Sequence, residues 1–185
     1  MAAVRLGRRS LLIIALISFA AIGSAFTWNA VARPGCSLLP VALPDAESAA
    51  RPGTSEQACA VLGRPLPDAA VLPAGVRRAE VTIDGPPPAG FSCCRFVHVT
   101  YASSGRNVVL MSVHRGEGIP TGNIGQVNGT VAGVPAIVQQ SRPPSMDVDD
   151  VSYLWARDGL LFSVHVALAN GITRLAADEM AASIR

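Results

Sequence analysis

The stretch Val151-Ser-Tyr-Leu-Trp155-Ala-Arg-Asp-Gly159-Leu160-Leu-Phe-Ser-Val-His-Val-Ala-Leu168 decides the fold class. Asp158-Gly159 between two apolar runs is the strongest short-range hairpin signal, because both turn residues tolerate positive φ. The returning strand places Leu160, Phe162, Val164, Val166 and Leu168 on one face and Leu161, Ser163, His165 and Ala167 on the other. That period of two predicts an antiparallel strand with one buried face and one at least partly wet.

Upstream of this hairpin the same grammar recurs. Val76 to Ile83 alternates raggedly, as an edge strand does. Cys94 to Tyr101 sets Val97, Val99 and Tyr101 against Phe96, His98 and Thr100, and Ser103-Ser-Gly-Arg106 turns it into Asn107–His114. Thr130–Gln140 reads as one further strand, with Pro135 indicating an edge or a bulge. Arg115 to Gly129 is a glycine-rich loop without a phosphate-cradling pattern.

Helices flank the strands. Thr54-Ser-Glu-Gln57 is a capping box opening a short helix, Ser55–Leu62, which Gly63 ends. At the other end Thr173 caps a helix over Arg174–Ile184, with Ala177, Met180, Ala181 and Ile184 on one stripe. The expected fold is α+β: an antiparallel sheet of about five or six strands, with a short N-terminal and a longer C-terminal helix packed on one face.

The chain has 185 residues, half of them apolar, with only 15% charged, which excludes a disordered chain. Fourteen Pro and 17 Gly fit a loop-rich sheet domain better than a helical bundle. Part of the apolar content is N-terminal. Leu11–Ala32 carries no charge and follows Arg5, Arg8 and Arg9. As a helix it would reach ~33 Å, about one bilayer core. The expected organisation is a cytoplasmic N-terminus over 1–10, a signal-anchor over 11–32 that crosses the bilayer, a linker over 33–53 and an extracytoplasmic domain over 54–185. The alternative is secretion after cleavage at Ala30-Val31-Ala32, but the apolar run exceeds the usual signal-peptide length. Either reading exports the rest of the chain.

The formal charge of +2 is a topology signal. All 15 basic residues are Arg; three precede the apolar run, leaving 12 Arg against 13 acids, a net of −1, beyond Ala32. No basic, aromatic-rich surface for nucleic acid is legible.

Taken in order, these segments resemble a small uncharacterised extracytoplasmic domain found beyond the membrane span in bacterial anti-sigma-factor-like and sporulation-related proteins. The similarity runs through Ser55–Gly63, Leu72-Pro-Ala-Gly75, Val97–Tyr101 with Gly105, Val131–Ala136, Leu154–Gly159 and Leu175–Ile184. It implies no catalytic residues. Cys59, Cys93 and Cys94 depart from the pattern, and only about ten residues precede the apolar run, too few for a cytoplasmic zinc-binding module that grips a sigma factor.

The candidate chemistry is sparse. Cys36, Cys59, Cys93 and Cys94 all fall in the exported part and are expected to form disulfides, with the pairing open among three possibilities. His98, His114 and His165 are candidate metal ligands if the sheet converges them, though their spacing matches no ligand motif. Asp147, Asp149 and Asp150 read as a solvated turn, since a calcium loop's glycine and closing Glu are missing. Asn128-Gly-Thr130 matches a glycosylation sequon. No nucleophile motif and no cofactor-binding pattern is present, so the expectation is a non-enzyme that binds a partner or ligand in envelope sensing or assembly. The alternative is an exported metal-binding or thiol-redox protein using the histidines or the Cys93-Cys94 pair.

Overall fold

A computed structural model describes residues 50–85, 95–116, 118–119, 125–142 and 148–185. The anchor candidate 11–32, Cys36, Cys93, Cys94 and Asp147 lie outside these. Among the described residues no helix is long and apolar enough to cross a membrane.

The order is β1 (Arg51–Pro52), α1 (Ser55–Leu62), β2 (Val76–Ile83), β3 (Val97–Ser103), β4 (Arg106–Arg115), β5 (Gly129–Val131), β6 (Val134–Ser141), β7 (Asp150–Arg157), β8 (Leu160–Ala167) and α2 (Arg174–Ser183). All eight strands form one antiparallel sheet in the order β1-β2-β3-β4-β8-β7-β6-β5. The α+β class and the antiparallel sheet match expectation; the strand number, expected at five or six, does not. Two local features enlarge the sheet. Arg51–Pro52, in the stretch read as linker, pairs with Thr82 and Ile83. The run 130–140 is two strands, because Ala132 (φ 50°) and Gly133 (φ 79°) make a two-residue turn inside it. Alanine is a poor αL residue, so the turn was hidden behind an apparently continuous apolar run.

The ragged period of β2 has a physical cause. Arg78 pairs with Tyr101 and Glu80 with Thr100, so Ala79 is a bulge. One extra residue flips every later side chain to the opposite face. Val76 and Ile83, of opposite parity, therefore both point into the core. Val108 does the same in β4, where Val108 and Val109 are both buried.

The core lies between the helices and the inner sheet face. Val97, Val99, Met111, Val113, Val151, Trp155, Phe162, Val164 and Val166 meet Ala58 and Leu62 of α1 and Ala177, Met180 and Ala181 of α2. Trp155 stacks on Phe162 across β7 and β8, with ring centroids 4.9 Å apart and planes 4° apart. Both helices begin as their sequences predict. Thr54 and Gln57 bond reciprocally, and Gly63 takes φ 76° to end α1. Thr173 accepts from the Ala176 N–H to open α2.

Two buried tyrosines fasten outlying chain to this core. Tyr101 donates to Asp68 at 2.6 Å, and Arg78 holds the other carboxylate oxygen at 2.9 Å. Tyr153 donates to Asp178 of α2 at 2.6 Å, and Arg174 reaches the same oxygen at 2.9 Å. Each phenol ties a second segment to the sheet, the stretch carrying Asp68 in one case and α2 in the other.

Candidate functional site

The helices cover one sheet face, and the registers assign His98, His114, Ser163 and His165 to the other. His98, Ser112, Ser163, Leu154 and Ile137 form one row across β3, β4, β8, β7 and β6. Thr100, Leu110, His165, Ser152 and Gln139 form the next. This outer face is polar towards β3 and more apolar towards β6.

The polar end is a hydrogen-bonded chain. His98 Nδ1 lies 2.8 Å from Ser112 Oγ, and its Nε2 lies 3.2 Å from Asp84 Oδ1. A carboxylate accepts only, so Nε2 carries the proton donated to Asp84. In neutral His98, Nδ1 then accepts the Ser112 hydroxyl proton. Ser163, opposite Ser112, lies 3.2 Å from Nε2 of the exposed His165. Phe96 sits between the other two imidazoles, 6.0 Å from His98 and 4.5 Å from His114 by ring centroids.

The sheet therefore collects His98, His114 and His165 on one face, yet each ring has its own local partner. His114 Nδ1 is 2.7 Å from the Arg115 carbonyl, which makes it the donor there. Among the described residues no three His, Cys, Asp or Glu side chains gather as a metal site requires.

Asp84–His98–Ser112 is an acid–imidazole–hydroxyl chain of the kind that activates a serine. Among the described residues, the β4 backbone around Ser112 supplies no set of donors aimed at its hydroxyl. Ser112 sits mid-strand in β4, which pairs with both β3 and β8, and ladder pairing occupies its neighbours' backbone donors. Oxyanion stabilisation needs donors aimed at the face where charge develops, and a continuous ladder aims them sideways. The face presents fixed donors and acceptors at one end and apolar surface at the other.

That apolar end holds a depression of about 300 Å³, lined by Ile137, Gln139, Ser152, Leu154, Ser163 and His165. Its floor comes from the outward side chains of β6, β7 and β8. It is open to one side, with a mixed polar rim.

The other sequence candidates separate. Cys59 of α1 is 5% exposed and disulfide-bonded, with its partner outside the described residues. Asp149 is held by Arg142 at 2.8 Å and Asp150 by Ser141 at 2.7 Å, so these two acids serve local pairs. Asn128 donates to the Val138 carbonyl at 2.9 Å and accepts from the Val138 N–H at 2.7 Å, so its amide acts as a strand backbone would. A glycan on that nitrogen would disturb this pairing. Sequence reasoning passed over Asp84 and Ser112, each 14 positions from His98, and Ser163, whose place opposite Ser112 depends on strand register. Comparisons of the chain with protein-family models, with curated proteins and with solved structures find no match.

Proposed function

We propose that this protein is a non-catalytic, membrane-anchored extracytoplasmic domain that binds a small amphipathic ligand on the outer face of its sheet. The observation that carries the reading is the outer face itself, where a fixed polar row adjoins an apolar-floored depression. Ligand sites combine apolar lining with a few placed polar groups in this way. A volume of about 300 Å³ accommodates roughly ten water-sized groups. The exported location rests on the uncharged run 11–32 behind three arginines, and the motif resemblance to extracytoplasmic envelope domains points the same way.

The test uses the full-length chain in a neutral detergent, titrated with short-chain fatty alcohols and amides and followed by thermal shift. Leu154→Arg, which places a charge on the floor of the depression, is expected to weaken any binding at least tenfold without lowering the unliganded melting temperature by more than a few degrees. Binding that survives Leu154→Arg, or no binding across the series, overturns the reading. The anchor is tested separately by intact mass. Membrane-extracted protein is expected to retain residues 11–32, whereas a mature form starting at Arg33 in the medium would establish the secreted alternative.

A further inference from the structure

Two adjoining clefts, of about 520 and 440 Å³, open around the β7–β8 turn at the edge of the domain and share Arg64, Pro65, Asp158 and Leu160. Among the described residues their walls carry four arginines, Arg64, Arg115, Arg157 and Arg185, and one acidic side chain, Asp158. The exported part as a whole is nearly neutral, so this clustering of arginines is local.

Arg64 and Arg157 are each held by a backbone carbonyl, which orients the guanidinium without neutralising it. Arg64 Nη1 donates to the Asp158 carbonyl at 2.7 Å. Arg157 Nη2 donates to the Ile184 carbonyl, and its guanidinium lies 5.9 Å from the Phe162 ring centroid. Arg115 Nε donates to the Leu62 carbonyl at 3.1 Å and so caps the negative end of α1. Gly63 permits that approach, since a Cβ there would lie 2.2 Å from Arg115 Nη2.

The carboxylate does not complete the site. Asp158 Oδ2 is 3.9 Å from Arg64 and 3.7 Å from Arg157, whereas charge-assisted hydrogen bonds run at ~2.7–2.9 Å. Asp158 is also the most exposed of the three side chains, at 63% against 39% and 25%. Two oriented guanidiniums thus face one loosely held carboxylate that an external oxyanion can displace. Arginine suits this role because its planar fork matches phosphate geometry and it stays charged at any physiological pH.

We propose that the cleft between Arg64 and Arg157 is an oxyanion site that takes a phosphate group, with Asp158 as the internal competitor the ligand displaces. It shares no lining residue with the outer-face depression.

The experiment is calorimetric titration of the full-length chain in a neutral detergent with two probes, inorganic phosphate and glycerophosphoglycerol, the deacylated headgroup of an anionic phospholipid. Arg64→Gln is expected to weaken binding at least tenfold. Asp158→Asn is expected to tighten it at least threefold while keeping the turn, since Asn accepts the same positive φ. Arg106→Gln, at the opposite end of β4, is the control and is expected to change nothing. Equal affinity for both probes identifies phosphate itself as the recognised group; binding of glycerophosphoglycerol alone identifies a lipid headgroup; either supports the site. Unchanged affinity in Arg64→Gln, an equal loss in Arg106→Gln, or weaker binding in Asp158→Asn overturns it.

Discussion

Trp155→Ala is expected to destabilise the domain by about 4 kcal/mol, the middle of the range for truncating a buried aromatic. Trp155 is fully buried and stacked on Phe162, beside Ala136, the smallest residue opposite it. Nothing adjacent can expand into the space, because the strand ladder on either side fixes the backbone. With domains of this size stable by about 5–15 kcal/mol, the loss is a large fraction of the whole. Trp155→Phe is expected to be far milder, about 1–2 kcal/mol. Its indole N–H is buried without a hydrogen-bond partner among the described residues, so the smaller ring removes a polar group that gains nothing from burial. Urea denaturation followed by far-ultraviolet circular dichroism measures both. Equal losses in the two variants would show that ring volume is not what holds β7 against β8.

The second large effect is an alkaline transition. Tyr101 and Tyr153 are the only two tyrosines in the chain. Burial raises the ionisation of both phenols well above the ordinary value of 10, and donation to Asp68 and Asp178, with the repulsion of those carboxylates, raises it further. The unfolded chain releases these protons near pH 10 while the folded chain keeps them. The stabilising contribution is therefore complete below pH 10 and is lost as pH rises from there towards the folded values. Each tyrosine should lower stability by about 1.4 kcal/mol per pH unit in that window. Phenolate absorbance at 295 nm is expected to stay flat past pH 10.5 and then to rise together with loss of the circular dichroism signal. Tyr153→Phe should halve the pH slope of stability. Phenolate appearing near pH 10 in a protein with native circular dichroism would contradict the tethering roles of Asp68 and Asp178.

Much of the architecture could be read locally. The capping box at Thr54, the αL stop at Gly63, the Asp158-Gly159 and Ser104-Gly105 turns and the α2 stripe are all encoded within four or five neighbouring residues, and all appear where those neighbours place them. Reading failed where the signal was weak or one residue out of phase. Ala132-Gly133 turns without a strong turn residue at its first position, two residues at Arg51 are too few to show a period, and the Ala79 bulge breaks the alternation it belongs to.

The two candidate sites divide differently. Alternation alone assigned Ser163 and His165 to the less apolar side of their strand and set His98 opposite Val97, Val99 and Tyr101, because side-chain direction in a strand follows a period of two. Which of them meet was decided by register and by strand order. β4 pairs with β8 instead of β5, and that crossover puts Ser112 opposite Ser163 and lays β7 and β6 beyond them. The arginine cleft depends on tertiary structure even more. Arg64 reaches Asp158 across 94 positions and Arg115 reaches Leu62 across 53. Sequence by itself determined the fold class, the helix limits and the expectation of export, since these follow from periods, caps and an uncharged run. Only the tertiary structure decided where charge and hydrogen bonds concentrate, because those depend on long-range pairing that no local pattern specifies.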